Sequence, residues 1–111
     1  MIMKPLASEE DYRGLLELSR ETPVYLLKHS LICPISSAAF REFDLFLKEK
    51  DDVSGFVLRI QENRGLSKYI AENTGVTHQS PQVLLYKDEK VVWGESHYSI
   101  SVQSLSHALT G

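Results

Sequence analysis

The sequence contains little cysteine and no long apolar segment. Cys33 is the only cysteine among 111 residues, so the chain forms no internal disulfide, which fits a reducing compartment. No apolar run approaches the roughly 18 residues that cross a bilayer, and no apolar stretch follows Lys4 as it would in a secretory signal. These absences predict a cytoplasmic protein that has no membrane partner.

The chain also lacks an excess of positive charge. Twelve Lys and Arg residues against fifteen Asp and Glu residues give a net charge of −3. The basic residues form no stripe, so we expect no nucleic-acid partner. The hydrophobic fraction of 42% and the charged fraction of 24% are typical of a globular protein. Because this length supports one core, we predict a single domain over residues 1–111.

Patterns typical of metal sites are missing as well. The four histidines share no ligand spacing, and a single cysteine does not supply the thiolates of a structural zinc site. We therefore predict no metal site and no tightly bound cofactor. The histidines are His29, His78, His97 and His107.

Hydrophobic periodicity predicts an alternation of helices and strands. Apolar residues at helical spacing indicate helices over residues 9–19, 34–50, 64–73 and 102–109. Short apolar and β-branched runs indicate strands at 24–28, 56–60, 83–86 and 91–93. Ser8 is expected to cap the first helix and Gly75 to end the third. Trp93 is expected to pack on Tyr86 across the hairpin, and Gly94 to break the last strand.

The order of these elements restricts the topology. Long helical crossovers between the first strands require parallel pairing, whereas the four-residue turn at 87–90 requires an antiparallel hairpin. Together they predict an α/β fold with a mixed four-stranded sheet and helices on both of its faces.

The single cysteine lies where the first predicted strand leads into a helix. Pro34 follows it in the position where proline starts a helix best. Unpaired backbone N–H groups and the positive end of the helix dipole favour a thiolate there. Residue 36 is Ser, so the motif is Cys-Pro-x-Ser and has no second thiol that could close a disulfide.

Other interpretations of these residues stay open at this point. Cys33 is either a reactive thiol or an inert buried side chain. Ser36 either stabilises the thiolate through its hydroxyl or backbone N–H, or makes a local hydrogen bond at the helix start. His29 either lowers the thiol pKa as a cation or merely ends the strand.

With Ser80-Pro81 before the hairpin, these motifs resemble those of thioredoxin-superfamily proteins, so the expected fold is thioredoxin-like. The chain more closely resembles the monothiol bacilliredoxins of low-GC Gram-positive bacteria, over essentially its whole length. The matching segments are Lys28-His29-Ser30, Cys33-Pro34-Ile35-Ser36 (CPIS) and Ser80-Pro81-Gln82.

The resemblance implies roles for the residues around Cys33. Pro34 and Ser36 would stabilise the thiolate. Pro81 would follow a cis peptide bond and lie beside the sulfur, while the backbone of Ser80 would pair with an extended substrate. Ile32, where a small polar residue is expected, would belong to the substrate-binding surface and could cover the sulfur and raise its pKa.

The resemblance also implies a function. The Cys33 thiolate would take bacillithiol, its co-substrate, from S-bacillithiolated client proteins, and a second small thiol or another reductant would regenerate it. Two alternatives remain. One is an iron–sulfur cluster scaffold that uses Cys33 together with a small thiol, and the other is a non-catalytic interaction module of thioredoxin-like fold.

Overall fold

The computed structural model describes residues 3–110 as four α-helices and five β-strands. Two short 3₁₀ turns, Ile60–Glu62 and His97–Ser99, precede α3 and α4. The strands are β1 Met3–Pro5, β2 Val24–His29, β3 Ser54–Arg59, β4 Gln82–Lys87 and β5 Lys90–Ser96. The helices are α1 Glu9–Leu18, α2 Pro34–Glu49, α3 Arg64–Thr74 and α4 Val102–Ala108.

All five strands belong to one mixed sheet in the order β1-β3-β2-β4-β5. The pairs β1–β3 and β2–β3 are parallel, and the pairs β2–β4 and β4–β5 are antiparallel. The predicted fold class is confirmed, but the predicted count of four strands is wrong. The extra strand, β1, is only three residues long, which is too short to show a periodicity in the sequence.

The sheet separates two apolar clusters. Side chains alternate between its faces, so the buried central strands β2 and β4 supply both clusters. The cluster against α2 and α4 contains Tyr25, Leu27, Phe43, Phe46, Val83, Leu85 and Leu105. The cluster against α1 and α3 contains Tyr12, Leu15, Leu26, Leu58, Ile70, Leu84 and Tyr86.

The helix boundaries agree with the capping residues in the sequence. The Ser8 hydroxyl accepts a hydrogen bond from the Asp11 N–H at 3.0 Å, which satisfies one of the unpaired donors of α1. Gly75 ends α3 with φ of 72°, in the left-handed region that favours glycine. Both capping predictions are confirmed.

Two expectations for the hairpin are wrong. Trp93 lies opposite Leu85, and a register shift follows before Tyr86. Trp93 therefore packs on the α2–α4 side, whereas Tyr86 faces the other side and its hydroxyl lies 2.9 Å from that of Tyr12. Strand β5 also continues through Gly94, where a Cβ would approach a Leu84 methyl to 3.1 Å, so the missing side chain lets the strands pack closely.

Within residues 3–110, none of the helices combines the length and the apolar character that crossing a membrane requires.

Candidate active site

Cys33 occupies the N-cap position of α2, and Pro34 is the first helical residue. The Cys33 backbone is extended, with φ of −106° and ψ of 123°. Its carbonyl accepts the first helical hydrogen bond, from the Ser37 N–H at 3.2 Å. The thiol is free and partly exposed. The sequence therefore located the sulfur correctly, at the junction of a central strand and a long helix.

Hydrogen bonds from the first turn of α2 lower the pKa of Cys33. The Ser36 backbone N–H makes the largest contribution, which partial burial opposes, and the Ile35 backbone N–H and the Ser36 hydroxyl lower the pKa further. These donors favour the thiolate, because hydrogen bonds to a charged form stabilise it. The result matches the electropositive setting that the sequence predicts for a reactive thiol.

Ser36 also anchors the loop that precedes the cysteine. Its side chain is fully buried, and its Oγ accepts a hydrogen bond from the Ser30 N–H at 3.2 Å. One hydroxyl can accept this bond while donating to the sulfur. The two interpretations of Ser36, thiolate stabilisation and a local hydrogen bond, therefore hold together.

A second anchor of this loop is Gln61, which the sequence did not single out. Its Oε1 accepts from the Leu31 N–H at 3.0 Å, and its Nε2 donates to the Ser30 hydroxyl at 2.9 Å. Gln61 lies in the turn after β3, 30 residues from Leu31 and 31 residues from Ser30. No local pattern in the sequence could have indicated this contact, because it depends on the pairing of β2 with β3.

The side chain of Ile32 extends into solvent. It is 84% exposed, so it does not bury the sulfur, and the pKa of Cys33 is lowered overall. The expectation that Ile32 raises the thiol pKa is wrong. Leu31 beside it is 48% exposed, so the loop presents apolar surface next to the thiol.

Ser80 and Pro81 lie at the same end of the sheet as Cys33. Gln82 pairs with Lys28 near the end of β2, so the two residues before Gln82 lie across from the loop that leads to the cysteine. The Ser80–Pro81 peptide bond is cis, as the family resemblance implies. Pro81 is buried, and the Ser80 hydroxyl is buried without a hydrogen-bond partner among the described residues.

His29 does not supply a cation to the thiol. Burial, and next the positive charge of Arg59, lower its pKa, against a smaller opposing effect of the Ser36 backbone. The imidazole packs against Phe40 with ring centroids 5.0 Å apart. A lowered pKa favours the neutral ring at neutral pH.

Lys28 is a buried cation that the sequence did not predict. It lies on the face of the sheet toward α1 and α3, is fully buried, and its Nζ has no hydrogen-bond partner in the described part of the chain. Burial lowers its pKa from 10.5 to about 8, because an unpaired charge is poorly solvated there.

Within residues 3–110, no group of three or more His, Cys, Asp or Glu side chains is arranged so that it could hold a metal ion.

The fold and this thiol define the class of protein: a thioredoxin-fold protein with a single cysteine at the start of α2. Three solved structures support the fold. One, described as a candidate oxidoreductase with a thioredoxin fold, is 38% identical, with a TM-score of 0.90 over 97% of this chain and 94% of that one. Thioredoxin from Fasciola hepatica is 19% identical, with a TM-score of 0.79 and 97% of each chain covered. Thioredoxin f from spinach chloroplast is 18% identical, with a TM-score of 0.77 over 97% and 90% of the two chains.

The sequence of residues 4–105 matches the family described as monothiol bacilliredoxin BrxC. The chain belongs to this family, and the predicted relationship is confirmed. Membership supports a redox role for the protein.

Proposed function

We propose that the protein is a monothiol thiol–disulfide oxidoreductase that removes bacillithiol from S-bacillithiolated proteins in the cytoplasm. The observation that carries the proposal is the single, partly exposed thiol of Cys33, whose pKa is lowered by donors of the α2 start. A thiolate is the attacking species in thiol–disulfide exchange. The family to which the chain belongs supports bacillithiol as the co-substrate.

The exchange step needs no cofactor. The Cys33 thiolate attacks the bacillithiol sulfur of the mixed disulfide, and a new S–S bond forms as the old one breaks. The client sulfur leaves with the electron pair of the broken bond and is thereby reduced to a thiolate, which solvent can protonate. Cys33 is oxidised to a mixed disulfide. A second small thiol then attacks the small-thiol sulfur of this mixed disulfide. The small-thiol disulfide forms and Cys33 leaves as a thiolate; another reductant can take the place of the second small thiol.

The surrounding residues have distinct roles in this step. Pro34 starts the helix without adding a competing N–H, and Ser36 holds the thiolate but cannot resolve the mixed disulfide. The backbone of Ser80, before Pro81, offers its hydrogen-bonding groups to an extended client segment. The exposed side chain of Ile32 contributes apolar contact beside the sulfur.

Intact-protein mass spectrometry tests the proposal. Reduced protein is mixed with a bacillithiolated client, and Cys33 should gain the mass of one bacillithiol as the client loses it. Cys33→Ala should leave the client modified. Glu49→Gln, at an exposed position in the last turn of the same helix, keeps the thiol and serves as the control.

Three outcomes would contradict the proposal. If Cys33→Ala removes bacillithiol as fast as the parent, the step does not use this thiol. If the parent transfers nothing but forms a coloured dimer with visible absorption after anaerobic iron–sulfur reconstitution, the scaffold alternative replaces it. A parent thiol that is alkylated slowly at neutral pH would favour the interaction module instead.

A further inference from the structure

A cavity of about 390 Å³ opens beside the loop that leads to Cys33. Ile35 and Ser36, the residues that donate hydrogen bonds to the thiolate, do not line it. It lies between the ends of β2 and β3 and the first turns of α2. Its lining residues are His29, Leu31, Ser37, Phe40, Arg41 and Arg59.

The topology of the sheet brings the two sides of this cavity together. His29 and Arg59 are the last residues of the parallel strands β2 and β3 and lie opposite one another. They follow Leu27 and Val57 by two positions and therefore face α2, as those buried residues do. Crevices outside the carboxyl ends of parallel strands are the usual ligand sites of α/β proteins.

The cavity is within reach of a molecule bonded to the sulfur. Ser37 and Arg41 follow Cys33 at intervals of four residues, so the three lie along one side of α2. Arg41 is about 12 Å from Cys33 along the helix axis at 1.5 Å per residue. Side chains of a helix are directed back toward its N-terminus, so the guanidinium of Arg41 is expected nearer to Cys33 than its Cα is.

The charges in the cavity are of one sign. Neither Arg41 nor Arg59 forms an ion pair in the described chain, and no Asp or Glu from residues 3–110 lines the cavity. His29 Nδ1 is buried without a partner among those residues and, depending on the tautomer, can donate or accept a hydrogen bond. Phe40 and Leu31 supply apolar walls.

We propose that this cavity binds the carboxylate end of the small thiol that is transferred to Cys33, with Arg41 and Arg59 as its receptors. Guanidinium groups pair with carboxylates through parallel hydrogen bonds, and such charge-assisted bonds are strong. The inference rests on the proposed function, because it assigns the specificity of the same exchange step. The exchange reaction is the one proposed for the client: Cys33 attacks the sulfur of the bound small thiol, and a new S–S bond forms as the old one breaks. The other sulfur of the broken disulfide leaves as a thiolate with the electron pair.

The test compares two small disulfides as oxidants of Cys33. Bacillithiol disulfide carries carboxylates on its malyl groups, whereas hydroxyethyl disulfide is uncharged. Quenched-flow samples analysed by intact-protein mass spectrometry give the second-order rate constant for the reaction of Cys33 with each disulfide. The variants are Arg41→Gln, Arg59→Gln and the double variant. The control carries Arg13→Gln and Arg64→Gln, two substitutions at exposed positions outside the cavity, and so has the same net charge as the double variant.

The double variant should react roughly tenfold to hundredfold more slowly with bacillithiol disulfide, because hydrogen bonds to charged groups are lost. Its rate with hydroxyethyl disulfide should match that of the parent, which also shows that it is folded. Higher salt should slow the parent with the anionic disulfide only, and the control variant should behave like the parent.

Failure of the inference and of the proposed function are distinguishable. Equal rates of parent and double variant with bacillithiol disulfide would overturn the cavity assignment and leave the exchange reaction standing. Equal slowing in the charge-matched control would also overturn it, because the effect would then come from net charge. A parent Cys33 that reacts with neither disulfide would overturn both.

Discussion

At the scale of single residues, Ser36 connects the Cys33 thiol to the loop that precedes it. The same buried hydroxyl that lowers the pKa of Cys33 accepts the Ser30 N–H, so the conformation of the loop and the charge state of the sulfur depend on each other. Removing the hydroxyl would also leave the buried Ser30 N–H without its acceptor, which costs about 1–3 kcal/mol of folding free energy.

Ser36→Ala should make Cys33 less reactive near neutral pH. The largest donor to the thiolate, the backbone N–H of residue 36, stays in place, but the hydroxyl contribution is lost. We therefore expect the midpoint of the pH profile for alkylation by iodoacetamide to move up, with a few-fold lower rate at pH 7. Ser37→Ala lies one residue on and should keep the parent profile, and an unchanged midpoint in Ser36→Ala would contradict the assigned role.

Lys28 should make the stability of the fold depend on alkaline pH. Its pKa is lowered to about 8 in the folded chain, so between pH 8 and the unfolded value of 10.5 the unfolded state binds more protons, and stability rises with pH. Below pH 8 the burial of the charge costs about 3 kcal/mol.

Lys28→Met tests this expectation, because it keeps the length of the side chain and removes the charge. Urea unfolding between pH 7 and 9.5 should show a rising free energy for the parent and a flatter profile for the variant. The variant should be the more stable protein at pH 7. Exposed Lys68→Met is the control and should keep the parent slope, and an identical slope in Lys28→Met would contradict the expectation.

At the scale of elements, the short helix α4 depends on a hydroxyl from the central strand β2. The Tyr25 hydroxyl donates to the Leu105 carbonyl at 2.7 Å in the buried core. Leu105 is among the last four residues of α4, whose carbonyls have no partner within the helix. The strand therefore satisfies the end of a helix that is only seven residues long.

Tyr25→Phe should weaken this attachment while keeping the ring packed on Phe46. The buried carbonyl would lose its donor, so we expect the free energy of unfolding to fall by about 1–3 kcal/mol. Amide hydrogen exchange should accelerate first in α4. Tyr98→Phe removes the hydroxyl of a residue that is 81% exposed and should change neither quantity, whereas uniform loss of protection in Tyr25→Phe would argue against a local role.

At the scale of the whole molecule, two apolar clusters share one sheet. Strands β2 and β4 contribute side chains to both, so neither cluster can form without the strands that the other requires. This arrangement favours cooperative unfolding of a single unit.

Urea unfolding should therefore give the same midpoint by every probe. Trp93, the only tryptophan, reports the α2–α4 side of the sheet, while far-UV circular dichroism reports all helices. We expect the two unfolding curves to coincide. The free energy of unfolding should fall by about 1–3 kcal/mol per molar urea. Two separate transitions would contradict the single-domain prediction.

Local sequence patterns predicted most of the elements but not every strand or contact of the site. Helical spacing and caps such as Ser8 and Gly75 act within a few residues, so the sequence alone indicates them. Strand β1 and the path of β5 through Gly94 depend on neighbouring strands. Gln61 contacts the Cys33 loop only because β2 and β3 pair.

The amino-acid sequence by itself determined that one thiol follows a buried strand and begins a helix at Pro34, because these are relations between adjacent residues. Only the tertiary structure decided that Ser36 serves both the sulfur and the loop, that Ile32 leaves the sulfur uncovered, and that Arg41 and Arg59 line one cavity. Such relations join residues far apart in the chain, and sheet pairing and helix packing alone bring them into contact.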